Sequence, residues 1–278
     1  MIKEGINKQK MTFREGSPAI GGGRTTLKRI FYVTLLMICI SVLFVHESNQ
    51  QKRIVAMEEK IKLLQAESNS KTVHWNPENY NYLAIGNSIT LHQINDYWWN
   101  ECGMAATTLE KDYVHQTSIM LNATEYAYNF SIWEITATDR TQTLSLLDGL
   151  LSNDIDLITL QLSENTSDLD TFDSDFEEMI RYIQERCSNA QIIVIGDFWD
   201  TGTKDEMKLV SCVNTGVSFI SLDEIKNKPE YKCEIGTEVY DSDGQSHIVE
   251  HKGVSLHPND KGMKWIADRI VEEVRSAD

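Results

Sequence analysis

The sequence is short of several things, and each shortage excludes something. None of its five cysteines are spaced C-x-x-C, which argues against a zinc site. No internal repeat and no low-complexity tract interrupts the 278 residues, so solenoid and tail-like architectures drop out. Cations are scarce beyond the first third. From Trp75 onward 14 Lys and Arg face 36 Asp and Glu, a net charge of −22. Phosphate binding needs clustered cations, so this part is a poor match for nucleic acid. A surface of that sign suits a neutral or cationic ligand better.

Charge is missing altogether from Ile30 to Val45, "IFYVTLLMICISVLFV". Sixteen residues at about 1.5 Å each reach roughly 24 Å, a little less than a hydrocarbon core. No A-x-A-like cleavage site follows Val45; "HESNQQKRI" stands there instead. That favours an uncleaved anchor over a removed signal. Residues 1–29 carry seven Lys and Arg against two Glu, and the positive-inside bias keeps them in the cytoplasm. The expected arrangement is a single-pass protein of the cell membrane with its main domain extracytoplasmic. Cys102, Cys187, Cys212 and Cys233 would then be exported, either as disulfides in one of three connectivities or as buried thiols.

What is present organises the rest. Residues 47–74 form a polar stretch in which Ile54, Met57, Ile61 and Leu64 recur at 3-4-3 spacing. This reads as a helical stalk, too short to establish a coiled coil, so dimerisation through it stays open. Beyond it short apolar runs alternate with helical patterns. Strands are expected over Tyr82–Ile85, Tyr126–Trp133, Ile155–Leu162, Gln191–Ile195 and Val217–Ser221. Helices are expected over Leu109–Asn122, Thr141–Leu151, Phe172–Cys187 and Thr203–Val213. A last helix follows Pro258, with Met263, Ile266, Ile270 and Val274 as its stripe. The alternation implies an α/β sandwich around a parallel sheet, whose ligands bind at the carboxyl ends of the strands.

Three of those ends carry reactive or polar groups. "AIGNSIT" puts Ser88 just past the first strand, "QLSEN" puts Asn165 past the third, and "HPNDKGM" puts His257 before the last helix. A serine here can be an ordinary helix cap. Serine, histidine and asparagine on one edge can also supply a nucleophile, a base and an oxyanion donor. With "NECGMAA" added, the four blocks resemble, in order and approximate spacing, those of the SGNH (GDSL-type) hydrolases, over about 80–277. The resemblance implies a flavodoxin-like three-layer α/β/α sandwich and a serine esterase needing no cofactor. Ser88 would be the nucleophile and His257 the base. The backbone N–H groups of Ser88 and Gly103, with the Asn165 amide, would form the oxyanion hole.

Two positions depart from that pattern: Asn87 replaces the usual aspartate before the serine, and Val254 stands three residues before His257 where the orienting aspartate is expected. A backbone carbonyl is the favoured substitute, with Glu250, Asp243 and Asp241 as alternatives. Trp98, Trp99 and Trp199 are candidates for stacking on a sugar, although core packing explains such residues as well. His247 and His251 lie among turn and β-branched residues, which speaks against a metal site. The expected domains are therefore 1–29, basic and cytoplasmic; 30–46, the anchor; 47–74, the stalk; and 75–278, the hydrolase domain. The expected activity is hydrolysis of a small acyl ester such as acetyl on a carbohydrate. The rivals are an O-acyltransferase using the same residues and a non-catalytic envelope-binding domain.

Overall fold

The computed structural model describes residues 22–68, 72–136, 139–199 and 202–277, in two compact units that divide between Glu58 and Glu59. The first unit is the greater part of helix α1, Gly22–Ser68. Residues 31–45 of α1 are all exposed, and the helix is long and apolar enough to cross a membrane. Of the basic terminus 1–29, residues 1–21 lie outside the described residues, as do 69–71 of the stalk. The last turns of α1 belong to the second unit, where Ile61 is buried.

The second unit is built on five parallel strands in the order β2-β1-β3-β4-β5. They are β1 Tyr80–Gly86, β2 Ala123–Asn129, β3 Leu157–Gln161, β4 Gln191–Ile195 and β5 Ser218–Ile220. This is the flavodoxin-like order, which reverses at β1/β3 and opens a crevice at the strand ends there. β1 lies between β2 and β3, with Gly86 level with Asn129 and Gln161. Its near-continuous apolar run follows from having both faces covered. On one face α2 (Tyr113–Leu121) packs against α6 (Asp260–Ala277), and Tyr82, Ala84, Ile193 and Ile195 meet Val114, Met263, Ile266 and Ile270 in one core. α4 (Phe172–Arg186) and α5 (Lys204–Thr215) pack together as a second pair.

Three elements differ from expectation, each for a local reason. β2 stops at Asn129, whose side chain accepts from the Ser131 N–H at 3.0 Å and donates to Leu91 O at 2.6 Å. The chain turns there into a short helix, α3 Ser131–Ile135. The helix expected over 109–122 is broken at Asp112, which caps α2 by accepting from the His115 N–H at 2.8 Å. The segment Arg140–Leu147 is 3₁₀ rather than α. In it Thr143 bonds back to Arg140 O at 2.7 Å, the local competition that makes threonine a weak helix former. Residues 238–248 form the small antiparallel hairpin β6 Glu238–Tyr240 and β7 Ser246–Ile248. Cys102, Cys187, Cys212 and Cys233 are buried free thiols, whose pKa values burial pushes up.

Candidate active site

Ser88 sits in the turn that closes β1, beside the crevice that the strand order opens. The Asn87 side chain holds that turn by accepting from the Ile89 N–H at 3.0 Å. His257 ends the 3₁₀ turn Val254–Leu256, immediately before α6. The two residues are 169 positions apart in the chain, yet Ser88 Oγ lies 2.8 Å from His257 Nε2. The other ring nitrogen, Nδ1, is 2.8 Å from Gly253 O. A carbonyl only accepts, so Nδ1 carries the proton and Nε2 is left to accept from the serine hydroxyl. Trp199 presses its edge to the imidazole with ring centroids 5.2 Å apart, and its Nε1–H donates to Leu256 O at 2.8 Å. Burial, the largest influence, drives the His257 pKa down to about 4, against the pull of the Gly253 carbonyl. The ring is therefore a neutral base at pH 7.

The carbonyl of Gly253 occupies the place where an orienting carboxylate was sought. Asp241 instead pairs with His247 at 2.9 Å and accepts the N–H groups of Asp243 and Gln245 in the hairpin turn. Neither Asp243 nor Glu250 bonds His257 among the described residues.

Gly103 is placed otherwise than the oxyanion role requires. Its N–H donates to the buried Asp112 carboxylate at 3.0 Å, and a Cβ there would meet Ile89 O at 2.4 Å. It is a close-packing glycine beneath the turn that carries Ser88. The Ser88 N–H, in contrast, has no acceptor among the described residues. Asn165 is exposed and lines the same cleft as Ser88.

None of the three candidate tryptophans is among the described residues that line the Ser88 cleft. Trp98 is fully buried with Cys102, Met104 and Val254. Trp99 stacks on His247 at 4.5 Å, while His251 stacks on Tyr97 at 4.2 Å. Only Trp199 adjoins the site.

The cleft measures about 530 Å³, within the range of small-molecule sites. Tyr126, Tyr128, Asn129, Gln93 and Ile132 line it with Ser88 and Asn165, and Lys60 and Leu64 from the end of α1 contribute. No carboxylate is among the described lining residues, despite the acidity of the domain. His92, to which the sequence assigned nothing, lies there too, and its Nδ1–H donates to Gln93 O at 2.7 Å.

Sequence reasoning also missed a layer of buried charge behind "LSEN". Glu134 of α3 accepts from Ser163 N–H at 2.6 Å, Asn87 Nδ2 at 3.1 Å and Asn165 Nδ2 at 2.6 Å. Burial raises its pKa, and the Asn165 and Asn87 donors pull it back. Ser163 has φ +113, a conformation that a non-glycine residue holds only when its surroundings impose it. Its hydroxyl bonds Asp197, and its carbonyl accepts from Lys204 Nζ at 2.7 Å. Lys208, fully buried, bridges Asp197 at 2.6 Å and Asp205 at 3.0 Å. Burial pulls the Lys208 pKa down, but Asp197 and Asp205 outweigh it and the net direction is up. Glu164 is buried beside Asp197 and accepts the Phe198 N–H at 2.6 Å, and burial holds its pKa well above the usual range. The one legible hint was a charged residue inside "SIWEI" just after a strand end.

No family model and no curated protein matches the chain. Several solved structures resemble it distantly. A GDSL-like lipase from Bacteroides ovatus is 15% identical at a TM-score of 0.47, over 71% of this chain and 99% of that one. A two-domain esterase active on acetylated mannans is 15% identical at a TM-score of 0.47, over 78% of this chain but only 53% of that one. An acetyl xylan esterase from the rumen bacterium Butyrivibrio proteoclasticus is 15% identical at a TM-score of 0.43, over 71% of this chain and 64% of that one. Likenesses this distant leave the assignment to the geometry of the site itself.

Proposed function

We propose that the second unit is a serine ester hydrolase of the SGNH type, working with a Ser88–His257 dyad. The observation that carries this reading is the pair of 2.8 Å contacts, Ser88 Oγ to His257 Nε2 and His257 Nδ1 to Gly253 O. A serine hydroxyl is a weak nucleophile until an imidazole takes its proton. Here the ring is neutral and its lone pair faces the hydroxyl. As Oγ bonds to the ester carbon, the proton moves to Nε2 and the carbonyl π electrons move to oxygen. The Ser88 N–H and the second N–H of the Asn165 amide are the donors available to that oxyanion. Collapse expels the alcohol, which leaves with the Nε2 proton. Water then attacks the acyl-serine, with the same ring taking and returning a proton, and releases the acid. The imidazolium formed in between is stabilised by a carbonyl rather than a carboxylate, which lowers efficiency without removing the base.

The substrate we favour is a small acyl ester, such as acetyl, on a neutral carbohydrate. A cleft with no carboxylate among its described lining residues, and with Tyr126, Tyr128, Asn129 and Gln93 among them, has aromatic faces and amides suited to sugar rings and hydroxyls. The exposed apolar run of α1 supports membrane anchoring, with the hydrolase unit outside the cytoplasm.

The test is hydrolysis of p-nitrophenyl acetate and labelling by a fluorophosphonate, compared between the wild type and Ser88→Ala. Turnover should fall by about 10⁴-fold or more, and the label should vanish. A wild-type protein that neither turns over nor labels overturns the hydrolase reading.

A further inference from the structure

We infer that Glu134 is a positioning residue for the oxyanion hole, holding the Asn165 carboxamide so that one of its N–H bonds faces the cleft. This rests on the hydrolase reading above. Asparagine oxygen and nitrogen are nearly equal in shape, and an exposed amide can present either to a substrate. Only the nitrogen end can stabilise an oxyanion. Glu134 decides the matter, because its Oε2 lies 2.6 Å from Asn165 Nδ2. A carboxylate accepts and never donates, so the amide oxygen is turned away from it. One N–H is then spent on Glu134, and the other remains for the cleft that Asn165 lines with Ser88.

The same carboxylate fixes the backbone around the amide. Its Oε1 accepts from the Ser163 N–H at 2.6 Å and the Asn165 N–H at 3.4 Å, and from Asn87 Nδ2 at 3.1 Å. Asn87 in turn ties the nucleophile turn through Ile89 N–H. One buried side chain, 1% exposed, therefore sets the nucleophile turn and the oxyanion donor in a common frame. Four N–H donors spread its charge, which a carboxylate at this depth requires. The same acceptor also satisfies the buried Ser163 N–H, which an apolar residue would leave unpaired, so the positioning role needs a readout that a purely structural role would not move.

The experiment is a double-mutant cycle in the full-length protein in detergent micelles, reading kcat and KM for p-nitrophenyl acetate. Glu134→Gln keeps the volume but lets the amide flip, and Asn165→Ala removes the donor. Each should lower kcat by about 10²–10³-fold, the cost of one oxyanion donor, with KM moving less than about threefold. The double variant should be no worse than either single one, because both remove the same interaction. Glu134→Asp, which keeps the charge on a shorter arm, should recover part of kcat. Losses that multiply, or a Glu134→Gln protein with wild-type kcat, overturn the proposal. Where Glu134→Gln fails to fold, the cycle is run with Glu134→Asp. Selective ¹⁵N labelling of asparagine supplies a readout independent of turnover. The Asn165 side-chain resonance, identified by its loss in Asn165→Ala, should shift in Glu134→Gln. An inactive wild type with that shift sinks the hydrolase reading and keeps the amide orientation; an unmoved resonance sinks the orientation itself.

Discussion

His257 is held by uncharged neighbours: the Gly253 carbonyl at 2.8 Å, the edge of Trp199, and Val254 buried alongside. Asn165 is held by the Glu134 carboxylate, with Asp197, Lys204, Lys208 and Glu164 behind the same loop. The difference follows from what each side chain has to do. A base needs only its tautomer fixed, and a carbonyl suffices for that, while burial keeps the ring unprotonated. The loop carrying Asn165 has to hold Ser163 at a strained positive φ, and several strong acceptors and donors are needed to impose it. The missing aspartate at Val254 thus does not leave the cleft without supporting charge. In this chain the charge supports the amide rather than the imidazole.

The comparison breaks most visibly at Lys208. Lys208→Met leaves Asp197 buried without its cation, and removing one partner of a buried pair costs about 3–5 kcal/mol. We expect a large drop in the thermal midpoint of the second unit, read by calorimetry, with the proposed esterase activity retained below it. A midpoint within a degree or two of the wild type would mean that the ions behind the loop do not hold it. The His257 side is sharpened by pH. Its pKa is near 4 folded and about 6.5 unfolded, so the unfolded chain binds the extra proton between those values. Stability from this group is full above about 6.5 and declines as pH falls toward 4, by about 3 kcal/mol in all. The acid limb of kcat/KM should likewise lie near 4. A limb at 6.5 to 7 would show that the ring is far better hydrated or paired with an anion.

Much of this frame was legible before any coordinates. The strand ends carrying Ser88 and Asn165 could be found because apolar runs of four to eight residues stop abruptly at polar ones, and His257 because it directly precedes the start signals of α6. Gln191–Ile195 matched to the residue, and the α6 stripe from Met263 to Val274 is buried throughout. Where side chains cap or bond their own turns, the reading failed: at Asn129, Asp112 and Thr143 a local hydrogen bond overrode the pattern. The ionic layer was illegible for a different reason. Glu134, Lys204 and Lys208 look like solvated surface in a sequence, and only the tertiary fold reveals that each is buried against a partner from another element.

Gly103 gives the smallest and most discriminating effect. Read from its motif, it is an oxyanion donor with its face to the cleft; in the fold it packs under the turn that carries Ser88, its N–H on Asp112. The two placements make opposite demands on an added methyl. In the cleft, Gly103→Ala would leave the core untouched and obstruct the approaching acyl oxygen, so turnover would fall while stability held. Beneath the turn, the new Cβ meets Ile89 O at 2.4 Å and both Asp112 Cβ and Met263 Cε at 3.0 Å. Backbone at that distance has to shift, and overpacking of this kind costs about 1–3 kcal/mol. The expected result is a lowered thermal midpoint, with kcat at temperatures well below it within a few-fold of wild type. An unchanged midpoint with a strongly reduced kcat would return Gly103 to the oxyanion hole and leave Asp112 as a competitor for its N–H.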